Sequence, residues 1–142
     1  MLEVRPAADE DELAAALALR MDVFCGEQGV DPAAERDGRD AEALHLVAIE
    51  QGRVVGTCRL LFEGGTARLG RMAVERGARG RGIGAAILAE ADRRAAERGA
   101  RRITLHAQET ARSVYARAGY ETDGEPFAEQ GIPHVTMEKT LA

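Results

Sequence analysis

A short stretch of the chain, ERGARGRGIGA at residues 75–85, concentrates glycine and arginine: four of its eleven residues are glycines and three are arginines. A helix that begins within it would leave unpaired backbone N–H groups at its N-terminus. These donors and the helix dipole favour an anion, and glycine lets the backbone approach that anion closely. The stretch therefore predicts a phosphate or pyrophosphate site. The alternative is a turn that only links a strand to a helix.

Two common phosphate-binding loops fit this spacing poorly. Gly77 and Gly82 are spaced as in a P-loop, but Ile83 and Gly84 follow where that loop has Lys and Ser or Thr. Residues 80–85 match the dinucleotide pattern G-x-G-x-x-G/A. However, no acidic residue ends the following strand, where a ribose would be held. A nicotinamide-dependent enzyme is therefore disfavoured.

Several other side chains could take part in proton transfer. Tyr115 lies on the apolar face of a short predicted helix, where it is either a core residue or a proton donor. Glutamate and histidine side chains could also serve as a base that accepts a proton. The candidates for this base, each with a structural role as the alternative, are Glu27, His45, His106 and His134.

Acidic residues are concentrated between positions 27 and 40. They are Glu27, Glu35, Asp37 and Asp40. One interpretation is that their charge draws a cationic amine towards the site. The other is a solvated loop whose acids cap turns or pair with Arg36 and Arg39. An EF-hand loop is disfavoured because the acids do not alternate and the terminal Glu is missing, so we expect no metal.

Composition narrows the class of protein. The 142 residues carry a net charge of -5, and 45% of them are hydrophobic. This balance predicts one globular domain over residues 1–142 and argues against nucleic acid as a partner. No apolar run reaches the roughly 20 residues of a membrane helix, and the N-terminus lacks the layout of a signal peptide. We expect a cytoplasmic protein without a membrane partner, in which Cys25 and Cys58 are free thiols.

The elements that must position these residues alternate between strands and helices. Apolar periodicity predicts helices at residues 8–24, from Gly82 to Gly99, and at residues 109–119. Residues 25–42 are predicted to form a polar loop, with at most a short helix. Strands are predicted at 2–7, 44–50, 53–63, 66–74 and 101–107, with two more in the tail. The fold class is α/β (α+β): a mixed, mostly antiparallel sheet of six or seven strands flanked by helices, with a parallel crossover over residues 66–106.

The glycine stretch resembles the coenzyme A loop of the GNAT acetyltransferases, whose signature is Q/R-x-x-G-x-G/A. Here it reads Arg79-Gly80-Arg81-Gly82-Ile83-Gly84. MAV before the loop resembles the family strand that pairs with pantetheine, and QETARSVYARAGY resembles the motif N-x-x-A-x-x-x-Y-x-x-x-G-F. The resemblance covers residues 53–142 and implies the GNAT fold, with acetyl-CoA as co-substrate.

The same resemblance implies roles for individual residues. The backbone N–H groups from Arg79 to Ala85 would hold the pyrophosphate of coenzyme A, and the main chain of Met72, Ala73 and Val74 would bind pantetheine. Gln108 stands where the family prefers Asn and would contact the cofactor. Tyr115 would protonate the departing thiolate.

The first fifty residues are similar to the ElaA-like branch of this superfamily. The pattern R-x-x-V-F-x-x-E-Q-G-V runs from Arg20 to Val30, and E-x-D-x-x-D-x-x-A-x-H-L-V-A begins at Glu35. Acyl-homoserine-lactone synthases are more distantly similar, but they carry tryptophan in this region and this chain has none. The resemblance implies an N-acetyltransferase acting on a small-molecule or peptide amine, with Glu27 and His45 near the substrate. A non-catalytic acyl-CoA sensor is the alternative, and a homodimer is left open.

Overall fold

The computed structural model describes residues 1–141, which contain eight strands and four α-helices. The strands are β1 (Leu2–Pro6), β2 (Leu44–Glu50), β3 (Arg53–Glu63), β4 (Thr66–Val74), β5 (Arg102–Gln108), β6 (Glu121–Thr122), β7 (Phe127–Glu129) and β8 (Ile132–Thr140). The helices are α1 (Glu10–Arg20), α2 (Pro32–Glu35), α3 (Ile83–Glu97) and α4 (Arg112–Arg117). A π-helix, Met21–Glu27, continues α1, and single 3-10 turns lie at Asp40–Glu42, Arg76–Ala78 and Glu109–Ala111.

All eight strands join one sheet in the order β1-β2-β3-β4-β5-β8-β6, with β7 also paired to β8. Only β4 and β5 are parallel among the described strands, and α3 connects them. The predicted mixed, mostly antiparallel sheet and its crossover are thus confirmed. The sheet has eight strands instead of six or seven because the tail forms three. Two of these, β6 and β7, are only 2 and 3 residues long, too short for alternation to reveal them.

Helix α3 packs its apolar side against the sheet, as its sequence predicts. The residues it buries are Ile83, Ile87, Leu88, Ala91 and Ala95. Gly99 follows the helix with a φ of 82°, and the N–H of Ala100 donates to the carbonyl of Ala95 at 3.0 Å. This is the left-handed glycine that commonly ends a helix. The strand–helix–strand crossover therefore ends at a defined point and returns the chain to β5.

Helix α1 ends earlier than predicted, at Arg20, but a π-helix extends beyond the predicted end and the buried face differs from the expected one. The Asp9 side chain accepts a hydrogen bond from the Glu12 N–H at 2.9 Å and caps the helix. Its continuation as a π-helix carries helical structure to Glu27, into the segment predicted as a loop. The periodic apolar residues of the predicted helix, Leu13, Leu17, Met21 and Phe24, are only half-buried. The residues buried instead are Ala16, Leu19, Arg20 and Val23, because Arg20 meets carboxylates in the interior.

Two further expectations concern membranes and thiols. No helix within residues 1–141 has the length and apolar character needed to cross a lipid bilayer. Cys25 and Cys58 are both free thiols, as predicted, with Cys58 buried and Cys25 half-buried. Burial raises the pKa of the Cys58 thiol to about 12, so Cys58 behaves as a small core residue and not as a nucleophile.

Candidate active site

The sheet opens between β4 and β5. The two strands pair only over Thr66–Leu69 and Arg102–Leu105. Beyond that point a β-bulge next to Gly70 interrupts the pairing of β4 with β3, and Arg71 within the bulge has a φ of 52°. A bulge bends the strand that carries it. Residues 71–74 consequently diverge from β5 and leave a strand edge facing a cavity.

A cavity of about 480 Å³ fills this opening. Of the residues singled out from the sequence, its lining includes Met72, Ala73, Val74, Arg79, Gln108 and Tyr115, and also Glu35, Arg39, His106 and His134. The lining of the cavity therefore includes three separate segments: the edge of β4, the end of β5 and helix α4. A volume of several hundred Å³ is typical of a small-molecule site. Glu27 and His45 do not line the cavity.

The N-terminus of α3 presents uncapped backbone N–H groups. Gly82 is the N-cap residue, with a φ of 79°, and Gly80 has the same φ. The first hydrogen bond within the helix runs from the Ala86 N–H to the Gly82 carbonyl at 3.1 Å. No side chain of residues 1–141 caps this helix end, and a β-carbon on Gly82 would meet no atom within 4 Å. The geometry fits an anion held by residues 80–85.

The arginines beside this helix end are paired with carboxylates. Arg79 donates to both oxygens of Glu27, at 2.9 and 3.0 Å, and its Nε donates to the Val74 carbonyl at 2.9 Å. Arg81 donates to both oxygens of Glu50, at 3.1 and 2.8 Å. The charge of Arg79 and Arg81 is therefore largely neutralised. The Arg79 guanidinium also lowers the pKa of Glu27, which makes this carboxylate a poor base.

Tyr115 places a phenol on the wall of the cavity. The residue is 8% exposed, and its ring lies edge-to-face with that of Tyr120 at 6.0 Å. Burial raises the pKa of Tyr115 to about 12, so the hydroxyl stays protonated at neutral pH. It forms no hydrogen bond with any residue in the described part of the chain. Tyr115 can therefore donate its proton, or a hydrogen bond, to a group that enters the cavity.

Gln108 ends β5 and contacts a segment far away in the sequence. Its Nε2 donates to Gln28 Oε1 at 2.7 Å, and both side chains line the cavity. Gln28 belongs to the E-Q-G-V motif that follows the π-helix. The two sequence motifs thus meet across the opening of the sheet, and the cofactor role of Gln108 remains a prediction.

The acidic loop folds back onto arginines of α1 and the sheet. Arg20 donates to Glu35 at 2.8 Å and to Asp40 at 2.8 Å. Arg59 of β3 binds Asp37, and also Asp40 at 3.1 Å. Arg20 and Glu35 are 1% and 2% exposed, so each charge is stabilised by its partner and not by water. These contacts form an ion-pair network inside the fold.

Arg71 joins this network from the bulge of β4. Its guanidinium lies 3.2 Å from Glu35 Oε2 and 3.4 Å from Asp37 Oδ2. The hydrogen bond from Arg59 lowers the pKa of Asp37. Part of the second interpretation is confirmed, since Asp37 Oδ1 accepts a hydrogen bond from the Arg39 N–H at 3.1 Å and Glu35 lies 3.9 Å from Arg36. The attraction of a cationic amine stays a prediction. Glu35, Asp37 and Asp40 also pair with core arginines, which the sequence did not indicate. The partners lie 15 to 36 positions apart, beyond the reach of a local pattern. Through Arg71, the ion-pair network contacts the bulge at which the sheet opens.

His45 has a structural contact of its own. Its Nε2 lies 2.9 Å from the Asp40 carbonyl, and the side chain is 8% exposed. A carbonyl oxygen only accepts, so Nε2 carries the proton in this contact. The histidine ties β2 to the 3-10 turn at Asp40–Glu42.

The two other histidines meet a glutamate that sequence reasoning missed. His106 Nδ1 lies 3.0 Å from Glu129 Oε1, and His134 Nε2 lies 3.7 Å from Glu129 Oε2. All three side chains line the cavity. The signal was present, since Glu129 opens the segment EQGIPH that ends at His134. Within residues 1–141, no group of three or more His, Cys, Asp or Glu side chains is arranged to hold a metal ion. This holds for the two histidines and Glu129 as well.

An open pair of parallel strands with an uncapped helix end beside it is suited to binding an anionic small molecule. A family model described as an acetyltransferase (GNAT) domain matches residues 6–141. The chain therefore belongs to the GNAT acetyltransferase family, as its motifs indicate.

Similar proteins span the full length of the chain. YjcF of Bacillus subtilis, described as an uncharacterized N-acetyltransferase, is 34% identical over 134 residues, covering 94% of this chain and 96% of its own. The crystal structure of an acyl-CoA N-acyltransferase from Pseudomonas aeruginosa is 33% identical with a TM-score of 0.83, covering 98% and 99% of the two chains. ElaA of Escherichia coli is 24% identical with a TM-score of 0.87 over 98% and 99%. The likeness to ElaA supports the fold.

Proposed function

We propose that the protein is an acetyl-CoA-dependent N-acetyltransferase that moves an acetyl group to a primary amine by direct attack in a ternary complex. The observation that carries this proposal is the opening between β4 and β5, with an uncapped helix N-terminus beside it. Membership of the GNAT acetyltransferase family supports acetyl transfer. The acceptor is a small-molecule or peptide amine.

The residues that would hold acetyl-CoA belong to two adjacent segments. The backbone N–H groups from Arg79 to Ala85 would hold the diphosphate, because their donors converge at the positive end of α3. The free edge of Met72, Ala73 and Val74 would pair with the pantetheine arm as an added strand would. Gln108 would contact the arm from the opposite strand. Acetyl-CoA supplies the activated acetyl group as a thioester.

Tyr115 would act as the proton donor to the leaving thiolate. Its phenol is buried, neutral and free of partners within residues 1–141, so it can offer its proton to a developing negative charge. The residue is only 8% exposed, and a low local dielectric strengthens such an interaction. Two substrates held together in one cavity of this size also gain rate from proximity.

Isothermal titration of the protein with acetyl-CoA tests the proposal. We expect saturable binding in the micromolar range, followed by release of free CoA when a suitable primary amine is added. Absence of heat at several hundred micromolar acetyl-CoA would refute the cofactor site. Binding without turnover of any amine would instead favour the acyl-CoA sensor that the sequence left open.

A further inference from the structure

Two histidines and a glutamate form a cluster that the proposed cofactor site does not use. His106 comes from β5, Glu129 from β7 and His134 from β8, and all three line the same cavity as Tyr115. Phe127 packs against both imidazole rings, edge-on to His106 at 5.0 Å and stacked with His134 at 6.0 Å. His134 is 7% exposed. The side chains of His106 and Glu129 are 39% and 46% exposed, so His134 is the buried member of the cluster.

The hydrogen bonds of His134 determine which ring nitrogen is free. Its Nδ1 lies 2.7 Å from the Ile132 carbonyl oxygen. Since a carbonyl oxygen only accepts, Nδ1 carries the proton, and Nε2 of the neutral ring keeps its lone pair. This lone pair faces Glu129 Oε2 at 3.7 Å. An ammonium group that lies beside these two acceptors can donate one hydrogen bond to each of them.

The carboxylates on the cavity wall decide where a cation can bind. Besides Glu129, the carboxylate that lines the cavity is Glu35, which is already bound to Arg20 and Arg71. Glu129 contacts only the two histidines among the described residues. The other charged or titratable groups on the wall are Arg39, Arg59, Arg68, Arg71, Arg79, His106 and Tyr115. Each of these five arginines is already paired with a carboxylate. Glu129 is thus the carboxylate available to an incoming ammonium group.

We infer that this cluster receives the acceptor amine: Glu129 binds its ammonium group, and Nε2 of His134 removes a proton from it. The inference rests on the proposed function and gives the substrate class as primary amines that are cationic in solution. His106 donates Nδ1–H to Glu129 and orients the carboxylate. Glu129 in turn stabilises the imidazolium that forms on His134.

The proton balance closes in four steps. The ammonium nitrogen gives one proton to His134, and its freed electron pair forms the C–N bond to the acetyl carbon. The C–S bond breaks, and the sulfur takes a proton from Tyr115. The new amide nitrogen loses its second proton, which restores the Tyr115 phenol through solvent. His134 releases its proton to solvent, so one proton leaves in each turnover.

Nitrogen-detected NMR of the imidazoles tests the geometry without an acceptor. The chain has 3 histidines, and we expect His106 and His134 to carry the proton on Nδ1. His45, whose Nε2 lies 2.9 Å from the Asp40 carbonyl, should carry it on Nε2 and serves as the internal control. A proton on Nε2 of neutral His134 would overturn the inference.

Kinetics with amine probes test the chemistry. The wild-type protein is screened with putrescine, spermidine, phenethylamine, lysine and a short peptide, and the fastest acceptor is kept. His134→Asn retains an N–H donor for the Ile132 carbonyl but has no basic nitrogen. We expect kcat to fall about 100-fold, with loss of the acidic limb of the pH profile and an unchanged KM for acetyl-CoA. Full activity with an unchanged profile would mean that His134 is only structural and would overturn the inference.

The glutamate is tested with a matched pair of variants. Glu129→Gln removes the charge, so we expect the KM for the amine to rise about tenfold. Glu125→Gln, an exposed position before β7, should keep wild-type constants. An unchanged amine KM in Glu129→Gln would refute the binding role. A protein that binds acetyl-CoA but acetylates no probe refutes the proposed function and this inference together, whereas normal turnover in the variants refutes the inference alone.

Discussion

At the scale of single residues, burial decides which groups can carry protons. Tyr115 is 8% exposed, and desolvation disfavours its phenolate because a buried charge loses its hydration. Its pKa is thereby raised to about 12. Glu27 shows the opposite effect, since the guanidinium of Arg79 lowers the pKa of its carboxyl group. One side chain is therefore kept protonated and the other is kept ionised.

The Tyr115 hydroxyl can be tested by its removal. Tyr115→Phe should lower kcat by about 100-fold with little change in acetyl-CoA affinity, because only proton donation is lost. Because the pKa of Tyr115 is about 12, the wild-type advantage should persist up to pH 10. Tyr120→Phe, which removes a neighbouring hydroxyl outside the cavity lining, is the control and should keep full rate. A Tyr115→Phe enzyme as fast as the wild type at every pH would disprove the role.

At the scale of elements, the N-terminus of α3 depends on glycines that adopt left-handed backbone. Gly82→Val should weaken acetyl-CoA binding at least tenfold, because a side chain at a φ of 79° strains the turn and crowds the anion. Gly124→Val introduces the same strain at a φ of 92° in the loop before β7. The Gly124→Val control should lose stability but keep its affinity for acetyl-CoA. Equal affinities in titrations of the two variants would contradict the diphosphate site.

The acidic segment and the bulge of β4 are joined by the buried ion pairs. Glu35→Gln leaves Arg20 with less compensating charge at a site that is 1% exposed. We expect a loss of about 3 kcal/mol in the free energy of unfolding, measured in urea. Glu121→Gln, on an exposed strand, should change it by no more than about 0.5 kcal/mol. A similarly small loss in Glu35→Gln would show that the network contributes little to stability.

The contact between α3 and β3 depends on a missing side chain. A β-carbon on Gly56 would lie 2.8 Å from Ile87 Cδ1 and 3.2 Å from Ile83 Cγ2. Gly56→Ala should therefore destabilise the fold by about 1–3 kcal/mol through overpacking. Gly26→Ala, whose β-carbon would have its nearest neighbour at 3.9 Å, is the control and should lie within about 0.5 kcal/mol of the wild type. Thermal unfolding of both variants measures the difference, and equal midpoints would contradict the close approach.

At the scale of the whole molecule, the sequence predicts the elements better than their long-range contacts. The periodicity of α3 and the strand runs indicate the sheet and its crossover, because these depend on neighbours along the chain. The pairing of Glu35 with Arg20 and Arg71, and of Glu129 with two histidines, depends on the folded topology. No spacing rule brings positions 106, 129 and 134 together. For the same reason the sequence indicates the helix end but misses the carboxylates that neutralise its arginines.

The central claim is that the opening of the sheet and the bare amides beside it form one cofactor site. A crystal structure of the protein with coenzyme A tests it most directly. We expect the diphosphate on the N–H groups of residues 80–85, the pantetheine arm along Met72–Val74, and the sulfur within hydrogen-bonding distance of the Tyr115 hydroxyl. Density for the diphosphate at any other place, with residues 80–85 making no contact to it, would contradict the account.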